Sequence, residues 1–238
     1  MYRELDPKRI VATAEALEKR VEERFPGSGL SRVCHELHEV AVETEPRIGR
    51  LRRPRWGIRV LVFAAVALMV AVVATAVVSV RVKLETPGLA ELFQGLDAAV
   101  NEIILLGIAL FFLFTLETRV KRRTALHALH ELRSLAHVID MHQLTKDPEH
   151  VLFPHRATAS SPSRTMDRFA LGRYLDYCSE GLSIVSKLAA LHVQYFNDGV
   201  VLDASDDVQD LAQALSAKIG QKIMILDAVA TRGEGIGH

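Results

Sequence analysis

Residues 61–80, LVFAAVALMVAVVATAVVSV, contain no charged residue and no proline. At about 1.5 Å of rise per residue this run makes a helix about 30 Å long, the thickness of a bilayer's hydrocarbon core. It predicts a membrane-spanning helix and constrains everything around it. A second apolar run, residues 103–116 (IILLGIALFFLFTL), is too short alone. It spans only if the helix begins near Leu96, which brings Asp97, Asn101 and Glu102 to its entrance. The expected unit is a transmembrane hairpin over residues 57–118, with spans near 58–80 and 96–116.

Lysine and arginine number 29, as do aspartate and glutamate. Net charge therefore selects no partner, but the placement of the charges is asymmetric. Arg47, Arg50, Arg52, Arg53, Arg55 and Arg59 crowd the start of the first span, and Arg119, Lys121, Arg122 and Arg123 follow the second. The connector offers only Arg81 and Lys83 against Glu85 and Glu91. Basic flanks stay on the cytoplasmic side of a bilayer, so both termini are expected there, in a multi-pass protein of the cell inner membrane. About 55 residues of charged, periodic sequence precede the first span, which predicts an anchor rather than a secretory signal. Cys34 and Cys178, the two cysteines, are then expected as free thiols. A basic cluster pinned to the membrane surface points to lipid contact and gives no support to nucleic-acid binding. Trp56 stands where an interfacial anchor belongs, and Pro87-Gly88 followed by Leu89, Leu92, Phe93 and Leu96 suggests a short amphipathic turn on the outer interface.

Outside the spans, apolar residues recur at helical spacing. In residues 1–56, Asp6-Pro7 reads as an N-cap with proline at the first helical position, and Ile10, Ala14, Leu17 and Val21 mark one face up to Pro26-Gly27. A second helix is expected from near Ser31, with Val33, Leu37 and Val40 or Ala41 on one side, ending before Glu45-Pro46. Residues 119–144 continue the helix of the second span. Leu129, Leu132, Ala136 and Ile139 share one face there, and His127, His130, Ser134, His137 and Met141 the other. Three prolines make residues 145–165 a linker.

Residues 166–230 predict a helical hairpin. Its first helix has two apolar seams, one through Leu171, Leu175, Cys178, Leu182, Val185, Ala189, His192 and Phe196, the other through Tyr174, Tyr177, Gly181, Ile184, Leu188, Leu191 and Tyr195. Asn197-Asp198-Gly199 turns the chain, Asp203 or Ser205 caps the last helix, and residues 231–238 form a tail. One hairpin partner covers one seam. The other seam meets the amino-terminal helices or a second subunit, and a homo-oligomer is the economical expectation. The fold class is thus an all-α membrane protein, a two-helix transmembrane hairpin with a cytoplasmic helical bundle or coiled-coil-like hairpin.

The pattern His-x-Leu-His-Glu occurs at residues 35–39 and 127–131, with Cys34 one turn from His38. Imidazoles at i and i+3, or a thiol and an imidazole at i and i+4, reach one metal from one helix face. Cys34, His35, His38, His127 and His130 are therefore candidate ligands of a divalent metal, or a pH-responsive set. The plainer reading has Leu37 and Leu129 facing a core and the histidines on solvated flanks. Asp97 and Asn101, one turn apart, with Glu102, are candidate pore-mouth residues in an oligomer, against a plain place at headgroup depth. Ala67, Ala71, Thr75 and Ser79 form a small-residue ridge on which another helix can pack closely. The acids from Asp198 to Asp210 are no EF-hand, because Val208 and Ala214 stand where glycine and glutamate belong when counting from Asp203. With no GxSxG, no P-loop and no convincing pair of catalytic acids, no enzyme is expected.

In plan alone, a two-helix membrane hairpin with cytoplasmic helices resembles the small membrane effector modules of bacterial conflict systems and, more loosely, the hairpin of calcium uniporters. The likeness is one of topology: a uniporter's Asp-x-x-Glu filter needs an acid at position 100, which is Val100 here. The expected function is that of a membrane anchor whose cytoplasmic helices dock a partner or assemble a complex. An ion-conducting effector and a histidine-based metal or pH sensor are the alternatives.

Overall fold

A computed structural model describes residues 4–83, 89–148 and 166–234, which form helices and the turns between them, with no strand among the described residues. Pro87-Gly88, most of the expected linker and the last four residues of the expected tail lie outside them. The helices are α1 (Pro7–Arg24), α2 (Gly29–Arg52), α3 (Trp56–Lys83), α4 (Leu89–Leu144), α5 (Arg168–Tyr195) and α6 (Gly199–Glu234). They divide into two compact units, Met1–Arg52 with Thr124–His238, and Arg53–Arg123. The two ends of the chain thus build one bundle.

Helix starts follow local chemistry. Asp6 accepts from the Lys8 N–H at 3.0 Å, ahead of Pro7. The α1–α2 turn runs through Gly27, whose φ of 65° is the left-handed region that glycine enters at no steric cost. Ser28 accepts from the Ser31 N–H at 3.1 Å, so α2 opens at Gly29, two residues before the expected start. Expectation also ended α2 before Pro46, but the helix continues to Arg52 with Pro46 inside it. Interior proline costs about 3 kcal/mol. That cost is offset because Ala41, Thr44, Ile48 and Leu51 extend the buried stripe across it, while Val42 and Pro46 lie on the exposed side, where water can reach the carbonyl left unpaired. At α6, Asp198 accepts from the Val200 and Val201 N–H groups at 3.2 and 3.3 Å. The cap is therefore Asp198, not Asp203 or Ser205. Val201 and Ser205, both fully buried, extend the inward face by two turns. At its other end α6 runs to Glu234, so residues 231–234 are helix rather than tail.

The bundle is organised around α5, which packs on α6, α1 and α2. Both predicted seams of α5 are filled from this one chain. Leu171, Leu175, Leu182 and Val185 are at most 4% exposed, as are Tyr174, Tyr177, Ile184, Leu188 and Leu191. Gly181 stands against Ile139 of α4 and Leu37 of α2. Phe196 lies just beyond the helix as its C-cap, its N–H donating to the His192 carbonyl, half-buried against the core. Each fully buried leucine contributes about 1.5–3 kcal/mol relative to exposure, and the core holds a contiguous set of them. The amino-terminal helices supply what a second subunit would otherwise have to cover. At one end of the bundle Phe25 meets Tyr174 and Tyr177 edge-on, with centroids 5.4 and 6.3 Å apart.

The unit Arg53–Arg123 holds α3 and the first part of α4, two helices long and apolar enough to cross a membrane, and among the described residues their apolar side chains are largely exposed. Phe63, Leu68, Ile103, Phe111 and Phe114 are all more than 60% exposed. Within this unit Glu117 accepts from Arg59 and Lys121, both at 3.0 Å, and from the Arg55 N–H at 3.2 Å.

Candidate functional site

The two His-x-Leu-His-Glu copies lie in the bundle with their leucines inward: Leu37 is 1% and Leu129 2% exposed. Each leucine is fixed by the core, so the flanking histidines are held at the bundle surface. They do not come together. His35 and His38 of α2 turn to α1, where Glu18 receives both, Oε1 at 2.6 Å from His35 Nδ1 and Oε2 at 2.6 Å from His38 Nδ1. The hydrogen bond that His35 donates to Glu18 raises the pKa of His35, with the charges of Glu18 and Glu39 adding to it. The Glu18 carboxyl is lowered: burial works against ionisation, and the bonds from His35 and His38 outweigh it.

His127 and His130 of α4 instead line a groove of about 640 Å³ between α2 and α4. Its α2 side carries Glu36, Glu39 and Glu43, its α4 side His127, His130, Glu131 and Ser134, and its floor Val40, Leu135 and Val138. Arg47 crosses one end, donating to Glu43 at 2.5 Å and to Glu131. His127 Nε2 is 3.5 Å from Glu131. Behind that end, His192 of α5 is 1% exposed, its Nδ1 donating to the Leu188 carbonyl at 2.9 Å and its Nε2 buried without a hydrogen-bond partner among the described residues. Burial lowers the pKa of His192, so the ring is held neutral.

Cys34 is 2% exposed beside the same core as Cys178, and burial pushes each thiol up to about 12. A thiolate ligand is disfavoured at such a position. Among the described residues no group of three or more His, Cys, Asp or Glu side chains is placed to hold a metal ion.

Asp97 and Asn101 are exposed on α4; Glu102 is on the same helix, with its side chain outside the described residues. Ala67, Ala71 and Thr75 are exposed along α3, and the Ser79 side chain is likewise outside. Leu171, Leu175, Leu182, Val185 and the half-buried Phe196 are occupied inside the bundle.

Glu18, Glu36, Glu43 and Arg47 were not foreseen as site residues. For Glu18 a signal existed: it lies eight residues before Pro26 and His35 eight after Gly27, so an antiparallel hairpin folded at that turn pairs them. The groove acids had none, since pairing α2 with α4 depends on the whole bundle. Comparison with family models, curated proteins and solved structures found no match to this chain.

Proposed function

We propose that this protein is a membrane-anchored docking module. In this reading residues 53–123 cross the bilayer as a hairpin, both termini lie in the cytoplasm, and the bundle offers the α2–α4 groove to a protein partner. The observation that carries it is the contrast between the two units. Among the described residues the apolar stretches of α3 and α4 leave their large side chains exposed almost throughout, so they require an apolar surrounding, while the bundle closes over its own core. The arginines and lysine that flank the two spans support the orientation and offer contact to anionic headgroups. A closed bundle leaves its chemistry on its surface, and the groove gathers carboxylates, imidazoles and an apolar floor there.

Two measurements test the reading together. After cell lysis the full chain should stay in the membrane fraction through alkaline extraction, with tags at both ends on the cytoplasmic face in protease protection. A photo-crosslinking residue at Ser134 should trap a protein partner in intact cells. Recovery in the aqueous fraction, ends on opposite faces, or no adduct from Ser134 would overturn it.

A further inference from the structure

We infer that the occupant of the α2–α4 groove is a basic amphipathic helix of a partner protein; this rests on the docking function proposed above and specifies its ligand. The groove has the shape of a trough for a helix. Its α2 wall uses Glu36, Glu39, Val40 and Glu43, spaced by three and four, and its α4 wall His127, His130, Glu131, Ser134, Leu135 and Val138 in the same rhythm. Those spans correspond to about 10 and 16 Å of helix axis, two to three turns, matching the length over which a helix lays successive anchors into a groove.

Its chemistry is two-sided. Val40, Leu135 and Val138 form a floor that accepts an apolar stripe, and the carboxylates of Glu36, Glu39, Glu43 and Glu131 edge it, with the Arg47 guanidinium on Glu43 and Glu131. Glu36, Glu39 and Glu43 are exposed on the α2 edge. Glu36 has no hydrogen bond or ion pair among the described residues, and Glu39 has only the 3.6 Å approach of His35 Nε2. A lysine- or arginine-flanked apolar stripe meets both features at once, whereas an acidic helix would set like charges against the edge at a cost. His127 and His130, both exposed, stand on the opposite side.

The test uses the full chain in nanodiscs of uncharged lipid and a labelled synthetic helix with a leucine stripe flanked by lysines, its lysine-to-glutamate counterpart serving as control. Anisotropy should show the basic peptide binding and the acidic one not. Changing Glu36, Glu39 and Glu43 together to glutamine should weaken the basic peptide by roughly tenfold or more, in keeping with three exposed ion pairs, and reduce its salt dependence. Val138→Asp should also weaken it, with the circular dichroism and melting temperature of both variants reporting that the bundle is intact. Equal binding of the two peptides, or of the basic peptide to wild type and the triple glutamine variant, would overturn the inference. If the basic peptide fails while Ser134 still crosslinks a partner in cells, docking stands and the basic helix does not. An adduct mapped to a second copy of this chain, or to a segment without basic residues at helical spacing, has the same meaning. If both fail, both readings fall.

Discussion

Glu18 on α1 holds His38 on α2, with Oε2 2.6 Å from Nδ1, while the other oxygen of the same carboxylate is 2.6 Å from His35 Nδ1. Two imidazoles at i and i+3 present ring nitrogens about one helical turn apart, and a carboxylate has two acceptors to meet them. The result is a latch between α1 and α2 beside Leu17, which is fully buried. It rivals metal binding directly, because the Nδ1 atoms of His35 and His38 are engaged by a carboxylate.

The latch predicts a pH dependence whose sign is fixed. The pKa of His35 is raised in the fold, so its contribution is complete below the ordinary histidine value and is lost as pH rises through the raised one. The Glu18 carboxyl is lowered, so its contribution is present above the ordinary carboxylate value and is lost as pH falls through the lower one. The latch is strongest between about pH 5 and 6.5. Acidification also favours protonating the buried His192, whose pKa is lowered in the fold, and this destabilises the whole bundle below about pH 6.5. The informative quantity is therefore the difference between wild type and Glu18→Gln. In thermal melts of the solubilised full chain that gap should be widest near pH 6 and narrow by pH 8. A gap of equal size at both would dismiss charge as the basis of the latch.

Core leverage is greatest on α5. Leu182 is 0% exposed and lies among residues drawn from distant parts of the sequence. Leu182→Ala should cost about 2–5 kcal/mol, since the cavity adds to the lost transfer energy. A denaturant titration of the bundle's helical signal measures it. A loss under about 1 kcal/mol would mean that the surrounding helices collapse onto the site.

How legible this fold was in sequence depended on how local the signal was. Asp6-Pro7 and the stripe Ile10, Ala14, Leu17 and Val21 gave α1 because cap and periodicity are both contained in it. The outward set His127, His130, Ser134, His137 and Met141 is exposed as expected, because one helix period fixes it. Pro46 carries a local signal to stop the helix, and the burial of Ile48 and Leu51 beyond it, a tertiary gain absent from local sequence, carries α2 through. Asn197-Asp198-Gly199 reads as a turn in sequence, and the same Asp198 caps α6 by accepting from the Val200 and Val201 N–H groups. The two seams of α5 correctly demanded two neighbours, but which elements cover them is a matter of assembly that no single periodicity encodes. The groove was illegible for the same reason: its two walls come from α2 and α4, over eighty residues apart at Glu43 and His127.

Gly181 of α5 faces side chains of two other helices, α4 and α2. A Cβ built there meets Ile139 Cδ1 at 3.4 Å and Leu37 Cδ2 at 3.8 Å. Gly181→Ala gains about 1 kcal/mol of helix propensity, and a small shift of the Ile139 methyl accommodates the new group. Its stability should fall between unchanged and about 1 kcal/mol higher. Gly181→Leu has no room for its branch and should lose about 1–3 kcal/mol through overpacking. Melting curves of the two variants side by side provide the measurement, and a leucine variant as stable as wild type would mean that the helices separate easily at this point.

The two thiols report on opening of the bundle. Cys34 and Cys178 are 2% and 0% exposed, and burial pushes both up to about 12. Only the thiolate attacks an alkylating reagent, so at pH 8 the folded form holds less than about one thousandth of the thiolate of an ordinary cysteine. Iodoacetamide should therefore modify both residues in the native protein at least about a thousandfold more slowly than in urea. What labelling remains must pass through opened forms, in proportion to their population. Leu182→Ala, by removing about 2–5 kcal/mol, should then accelerate native-state labelling of Cys178 by about 30-fold or more. Rapid modification of folded wild type at pH 8 would place these thiols in contact with solvent and remove them from the core.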